Sequence, residues 1–314
     1  MDFIEINNIK GICNVYQPKY KNSNASGMGD FIRGSYFMLE FCEKYNINYK
    51  IIFNSIISNF LINNNNSDND TTDCKFENIE LFQNSNLKEI KKSKNGIISY
   101  PILDRENIIR DFVEYLKKSY VYNDYIYIYS ISFPNEKISD KNKSIMQNIL
   151  QPTNEIKNTL NNCLKNLNLD FKNYLVFHIR SGDKFLIDNN TNFNQKYLFD
   201  VKKIIETTIS NNLIKNKNTK IKSRAKYLII ADNNKIKILL KKYFPEIKIF
   251  LPEITHSGEG VEINEIKIKN TLIDFYLLSF ANKIISIASN LHGSGFSYWC
   301  ALTYNVPYIC YYVE

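Results

Sequence analysis

Apolar positions in the second half of the chain fall into short, nearly unbroken runs. Each run is followed by a stretch with helical spacing. Residues 174–179 (YLVFHI), 226–231 (KYLIIA), 247–251, 283–287 and 307–311 read as strands, and 195–213, 233–243, 271–281 and 293–304 read as helices. A strand with no polar alternation is apolar on both sides. Such strands, alternating with helices, predict a parallel sheet covered on both faces.

The first half carries the same rhythm less clearly. Residues 11–16 predict a short strand, and KNSNASGMGD is a polar loop with two glycines. Residues 30–45 place Phe31, Tyr36, Met38, Leu39 and Cys42 on or near one helical face, and 48–53 follow as a strand, completing a βαβ unit. Residues 63–74 (NNNNSDNDTTDC) are low-complexity and predict a mobile surface insertion. Strands are expected at 96–102 and 125–131, with an amphipathic helix at 105–118 between them. The pattern changes character over 140–152, and helical spacing resumes from 153 to 167. The 314 residues suit two domains of about 150 each, with the boundary near 150: a first domain over 1–150 and a second over 151–314.

Composition narrows the class. With 44% hydrophobic and 23% charged residues the chain is globular rather than disordered. Forty basic against 32 acidic side chains leave a formal charge of +8, which suits an anionic ligand. The lysines are spread among Asn and Ile, so a compositional bias explains the surplus better than a nucleic-acid surface does. The six cysteines (Cys13, Cys42, Cys74, Cys163, Cys300, Cys310) form no C-x-x-C pair and read as small buried hydrophobes, not disulfides or zinc ligands. The opening MDFIEINNIKG has acids and no long apolar core, so no signal peptide is expected. No apolar run is long enough to span a bilayer, and a soluble, cytoplasmic protein is expected.

Open α/β sheets bind ligands beyond the carboxyl ends of their strands. Polar clusters stand at those ends here. After 174–179 come Arg180, Ser181, Gly182, Asp183 and Lys184. The Arg180 guanidinium offers a planar fork of donors to a diphosphate, Gly182 permits close backbone approach, and Asp183 is placed to hold Arg180 or the turn. A surface ion pair between Arg180 and Asp183 is the competing reading. His178 fits either a packed core or a ligand contact. Asp232 and Asn233 follow 226–231; Glu253, Thr255, His256 and a Ser-Gly-Glu-Gly loop follow 247–251. Ser289, Asn290, His292, Gly293 and Ser294 follow 283–287, where Ser294 is a candidate N-cap and the helix start a phosphate site. Phe296 and Trp299 would then pack in the core. No G-x-G-x-x-G follows a strand, and neither P-loop, H-E-x-x-H nor G-x-S-x-G is present. No D-x-D follows a strand, and Asp68-Asn69-Asp70 lies in the low-complexity stretch. A site without metal or cofactor is expected, with Arg180 and helix N-termini neutralising charge.

These residues resemble a known family. His178-Ile179-Arg180-Ser181-Gly182-Asp183-Lys184 resembles the H-x-R-R-x-D-K signature of the superfamily of α1,2-, α1,6- and protein O-fucosyltransferases. Ser294-Gly295-Phe296-Ser297-Tyr298-Trp299 is similar to the S-x-F-S-x-W segment of its α1,2 members. Asp274 with Leu277-Leu278-Ser279 is similar to the D-x-x-x-L-S helix before it, and Gly27-Met28-Gly29-Asp30 with Arg33 to the Gly-rich opening of the first domain. The likeness spans about residues 25–310 in order. It implies a GT-B-like α/β fold, with two Rossmann-like domains and parallel sheets facing across a cleft. It also implies metal-independent, inverting transfer of fucose from GDP-fucose to a glycan or protein acceptor. Arg180 would contact the donor diphosphate. His178, Asp183, Asp232, Asp274, His292, Gly293, Ser294, Gly295 and Phe296 would line the donor site, together with Gly27, Gly29 and Arg33. The chain departs from the signature at Ser181, where the family has a second arginine; Lys184 or Arg33 would have to compensate. Met28 stands where some members carry a glutamate base, which leaves Asp30 as the candidate base. Another nucleotide sugar, or a non-catalytic nucleotide- or RNA-binding module, remains as an alternative.

Overall fold

The computed structural model describes residues 9–16, 19–20, 23–24, 27–53, 56–62, 80–82, 87–89, 92–98, 100, 102–103, 105–118, 125–182, 193–218, 226–254 and 264–314. They form two compact α/β units. The first runs up to Thr153 and the second begins at Asn154, except that Ile90–Tyr100 belongs to the second.

The first unit contains β1 (Gly11–Tyr16), α1 (Met28–Tyr45), β2 (Tyr49–Phe53), β3 (Glu80–Phe82), α2 (Arg105–Lys118), β4 (Tyr125–Ser130) and α3 (Asp140–Ile149). Its sheet is parallel in the order β2-β1-β4-β3. The central strand β1 is buried throughout, as an apolar run in a covered sheet must be. Ile12, Phe37, Phe41, Phe112 and Ile128 form the core between the sheet and α1 and α2. Helix α1 stops at Asn46, whose φ of 54° closes an αL cap with N–H bonds to the Cys42 and Glu43 carbonyls, so the chain turns directly into β2. Helix α3 fills most of the stretch over which the pattern changes character. The Ser139 hydroxyl starts it by accepting from the Asn142 N–H at 3.1 Å.

The second unit contains α4 (Asn154–Leu167), β5 (Tyr174–Arg180), α5 (Gln195–Asn218), β6 (Lys226–Ala231), α6 (Asn234–Tyr243), β7 (Lys248–Ile249), α7 (Glu265–Ser279), β8 (Lys283–Ala288), α8 (Gly295–Thr303) and β9 (Tyr308–Tyr312). The sheet is parallel in the order β7-β6-β5-β8-β9. From β5 the chain winds outward through β6 to β7, then crosses back to β8 and β9. The winding direction therefore reverses between β5 and β8, and at such a switch point the strand ends leave a crevice. Helix α7 begins before its apolar pattern does, because the Asn264 side chain caps the Ile266 and Lys267 amides.

The strand expected at 96–102 is not an internal strand of the first half. Ile97 bridges Tyr311 antiparallel, Ile98 N–H donates to the Cys310 carbonyl at 3.0 Å, and Tyr312 N–H donates to the Gly96 carbonyl at 2.8 Å. The segment covers the outer edge of β9, which would otherwise present unpaired backbone. Tyr100 follows it onto α8, 5.7 Å from the Tyr298 ring and 6.2 Å from Trp299. Local patterning does not report a partner so distant in sequence, and only isolated bridges form where a strand over 96–102 is expected.

Residues 63–74 lie outside the described residues, and Cys74 with them. The five described cysteines are buried free thiols. Among the described residues, no helix is long and apolar enough to cross a membrane.

Candidate functional site

Arg180 is the last residue of β5, at the end of six buried positions. Its Nη1 donates to Asp232 Oδ2 at 3.0 Å. The same oxygen accepts the backbone N–H groups of Ser181 at 2.8 Å and Gly182 at 3.2 Å. Asp232 follows β6, the neighbouring strand, and its own N–H donates to the Ile179 carbonyl at 3.3 Å. From the opposite neighbour β8, Ser289 N–H donates to the Arg180 carbonyl at 3.2 Å and Ser289 Oγ to the Ser181 carbonyl at 3.0 Å. The turn after β5 is thus pinned from both sides. Gly182 has φ of 110°, a conformation open to glycine and strained for other residues. Charge-assisted bonds of this kind fix the guanidinium plane. Burial raises the Asp232 carboxyl above its ordinary range, while the Arg180 guanidinium and the Ser181 and Gly182 donors pull it back down. Asp183, the expected holder of Arg180, lies with Lys184 outside the described residues, and so does His256. Asp232 does the holding.

Across the switch point, the loop after β8 leads into α8. Ser294 occupies the N-cap position, but its hydroxyl makes no capping bond; its carbonyl accepts the Tyr298 N–H at 3.0 Å. The expected side-chain cap is therefore a backbone one. The first turn of any helix presents N–H groups that lack intrahelical acceptors, here beginning at Gly295. Phe296 packs 5.4 Å from the Phe275 ring and 6.0 Å from His178, and Trp299 is buried. His292 is exposed, and Gly293 closes a turn onto the Asn290 carbonyl at 2.9 Å.

Buried polar groups gather below this rim. His178 lies in register with Ser286 and, through it, with Cys310. It is buried and its Nδ1 has no hydrogen-bond partner. Burial, with the Arg180 and Lys237 charges, pushes its pKa down to about 3, so the ring is neutral. Asp274 on α7 is buried with Oδ1 unpartnered, and burial pushes it up to about 6 against the pull of Lys237. Lys237 on α6 is fully buried and donates to the Phe250 carbonyl at 3.0 Å. Asp232 Oδ1 is also buried without a partner, and the Tyr197 hydroxyl lies beside Ser181 and Asp232. Buried polar atoms are nearly always bonded. His178 on β5, Asp274 on α7 and Asp232 each carry one that is not, which makes them candidates for contact with a ligand's polar groups.

Tyr197 and Lys237 are absent from the sequence-derived site. Their signal was present but reads as packing: Tyr197 shares a helical stripe with Val201 and Ile205, and Lys237 sits between core residues Ile236 and Leu240. A lysine on an apolar stripe is the sharper of the two clues, since a fully buried lysine is rare without partners.

The remaining candidates belong to the first unit. Gly27 is the N-cap residue of α1, its carbonyl accepting the Asp30 and Phe31 N–H groups at 3.0 and 3.2 Å, and Gly29 is buried in the first turn. Asp30 Oδ1 lies 2.9 Å from Arg33 Nη1. Arg33 also donates through Nε to the Ile131 carbonyl at 2.8 Å and lies 3.9 Å over the Phe133 ring. It is committed within its own unit, which weighs against its standing in for the second arginine that Ser181 replaces.

No family model matches the chain, and no curated protein matches it. Several solved structures are similar. The fucosyltransferase NodZ from Bradyrhizobium is 11% identical with a TM-score of 0.47, the alignment covering 93% of this chain and 91% of that one. NodZ α-1,6-fucosyltransferase co-crystallised with GDP is 11% identical with a TM-score of 0.48 over the same shares. POFUT1 in complex with GDP is 10% identical with a TM-score of 0.43, covering 98% of this chain and 99% of that one.

Proposed function

We propose that this chain is a glycosyltransferase that moves fucose from GDP-fucose to an acceptor hydroxyl, with inversion at the anomeric carbon. The observation that carries the proposal is the Arg180–Asp232 arrangement. A guanidinium is fixed at the end of the central strand, at the switch point, beside a turn pinned by Asp232 and Ser289. The signature around His178 and Arg180 supports the same reading.

In this mechanism the bond between the anomeric carbon and the β-phosphate oxygen breaks, and GDP leaves with the electron pair. The acceptor oxygen bonds to the opposite face of the carbon and gives its proton to a carboxylate, for which Asp30 is the candidate. Arg180 meets the charge growing on the leaving diphosphate, and the first turn of α8, with Ser294, Gly295 and Phe296, supplies N–H groups to it. Asp232 and Asp274 serve the nucleoside side. The mechanism requires no metal, and the acceptor is a hydroxyl of a glycan or a protein.

A thermal-shift panel of nucleotide sugars tests this. GDP and GDP-fucose are expected to raise the melting temperature; a ligand at a hundred times its Kd stabilises by about 2.7 kcal/mol. Ser181 motivates the second reading, a donor other than GDP-fucose. A shift with a UDP-sugar and none with GDP would establish that reading in place of the first. Binding to RNA that collapses with salt, with no response to any nucleotide sugar, would replace both.

A further inference from the structure

The chain passes from the first unit into the second at Ile90 and returns at Pro101, and the mechanism above gives this excursion no task. Its shape follows from its sequence. Ser93-Lys94-Asn95-Gly96 closes a tight turn: the Gly96 N–H donates to the Ser93 carbonyl at 2.9 Å, and Ser93 Oγ accepts the Ile97 N–H at 3.1 Å. Gly96 takes φ of 78°, which glycine adopts at no steric cost. The turn brings Lys92 opposite Ile98 and leaves Ile97 to bridge Tyr311. Covering an open sheet edge explains the backbone bonds to β9. It does not explain where the Ile98 and Tyr100 side chains go.

Both meet the start of α8. A Cβ at Gly293 would stand 2.9 Å from Cys310 Sγ and 3.4 Å from Ile98 Cδ1, so the backbone just before α8 rests on these two side chains. The Ile98 N–H bond to the Cys310 carbonyl locks the two supports together. One turn further on, Tyr100 packs against Tyr298 and Trp299, and Tyr298 in turn against Tyr308, 5.4 Å away. From the other side Ser297 Oγ donates to Ser286 Oγ of β8 at 3.4 Å, and Phe296 rests on Phe275 of α7. The first turn of α8 is thus clamped between β8, α7 and the excursion. A polar ligand group belongs at this place, because the buried His178 ring lies 6.0 Å from Phe296 and its Nδ1 has no hydrogen-bond partner.

We propose that Ile98 and Tyr100 are positioning residues that hold the backbone over 293–296 in the geometry that receives the donor diphosphate. This rests on the proposed function, in which the first turn of α8 supplies N–H groups to the diphosphate. Backbone donors grip an anion best when they are already aimed at it; donors that must first be ordered lose affinity to the cost of ordering. Helix ends fray, and Ser294 gives this one no side-chain cap. A glycine stands on each side of that N-cap, Gly293 and Gly295, which adds backbone freedom. The excursion supplies from outside the rigidity that the missing cap omits. Neither side chain touches the ligand; Ile98 acts through the backbone of Gly293, and Tyr100 through the rings of α8.

The experiment compares GDP with guanosine on the full chain, by calorimetry for GDP and by ligand-observed NMR for the weaker nucleoside. The ratio of the two affinities isolates the grip on the phosphates. Tyr100→Ala removes the ring that backs Tyr298 and Trp299. Ile98→Val removes Cδ1, the Ile98 atom nearest Gly293; cores tolerate this small change, so it serves if Tyr100→Ala does not fold. Tyr100→Ala should weaken GDP binding about tenfold, the worth of one hydrogen bond to a charged group, and Ile98→Val about threefold, with guanosine unchanged in both. Tyr100→Phe, which keeps the ring, should restore the ratio. Lys92→Ala, at the other end of the turn and over the Tyr312 ring, should leave it alone. A ratio unchanged in both Tyr100→Ala and Ile98→Val overturns the proposal. So does an equal loss of GDP and guanosine, which would make the excursion an edge cover only; either result leaves the nucleotide site standing. Wild type that binds GDP no more tightly than guanosine removes the proposed function's grip on the diphosphate, and this inference with it.

Discussion

Replacing Arg180 with alanine is expected to lower donor turnover by about a hundred- to a thousandfold, the usual loss on removing one preorganised donor from a developing negative charge. The side chain is partly accessible, at 15% of its surface, whereas its Asp232 partner shows 7%. Such an arginine can have two roles: it can hold the turn through Asp232, or meet a ligand's charge while Asp232 holds it in place. A single substitution does not separate them. Removing one member of a buried pair leaves the other charge uncompensated and costs about 3–5 kcal/mol, although the Ser181 and Gly182 amides that stay on Asp232 Oδ2 soften that loss here. The double variant Arg180→Ala/Asp232→Asn separates them, because asparagine removes the stranded charge. Its denaturation midpoint should recover much of the loss, while turnover of GDP-fucose should not recover. Arg180→Lys should also fail to restore turnover, since an ammonium lacks the planar fork. Near wild-type turnover in the folded double variant with every GDP-sugar would sink the assignment of Arg180 to the diphosphate.

The second unit is largely legible because its inner strands β5, β6 and β8 are buried on both faces. The apolar run ending in Arg180 predicts both β5 and the place where the chain leaves the sheet. What holds Arg180 was less legible. The sequence points to Asp183 for that role, and only the pairing of β5 with β6 brings Asp232 beside the Ser181 and Gly182 amides. The same limit hid Lys237, whose neighbours along the chain are apolar and whose acceptor, the Phe250 carbonyl, lies beyond β7. In the first unit the βαβ opening was readable from the face of α1. The segment around Ile97 and Ile98 makes isolated bridges rather than the full strand expected, and one of its partners, Tyr311 of β9, lies at the other end of the chain. Periodicity reports what a residue is buried against on average; it does not report which distant group it meets.

Gly34→Ala is expected to be the most damaging conservative change in the first unit, and competing magnitudes fix its sign. Glycine inside a helix is worse than alanine by about 1 kcal/mol, so propensity alone predicts that Gly34→Ala would stabilise α1. Packing predicts the reverse. A Cβ at Gly34 would stand 1.7 Å from the Ser130 carbonyl oxygen, 2.2 Å from its carbon and 2.7 Å from the Ile131 nitrogen. These are backbone atoms at the end of β4, not flexible side-chain tips, so the helix itself must move. It cannot move without loss, because α1 is tied to the sheet on both sides of the contact. Asn14 on β1 donates to Ser35 Oγ at 2.9 Å and accepts the Ser130 N–H at 2.9 Å, and Arg33 Nε holds the Ile131 carbonyl at 2.8 Å. Overpacking a rigid contact costs about 1–3 kcal/mol and occasionally more, and here it also breaks buried hydrogen bonds worth about 1 kcal/mol each. The net expectation is a destabilisation of at least about 3 kcal/mol, which outweighs the helix propensity gain. The same displacement moves Asp30 and Arg33, so transfer should be lost even where the variant folds. Hydrogen exchange would locate the loss, with α1 and the end of β4 losing protection while β5 and β6 keep theirs. A Gly34→Ala protein that melts at the wild-type temperature would show that α1 does not rest on Ser130 as described.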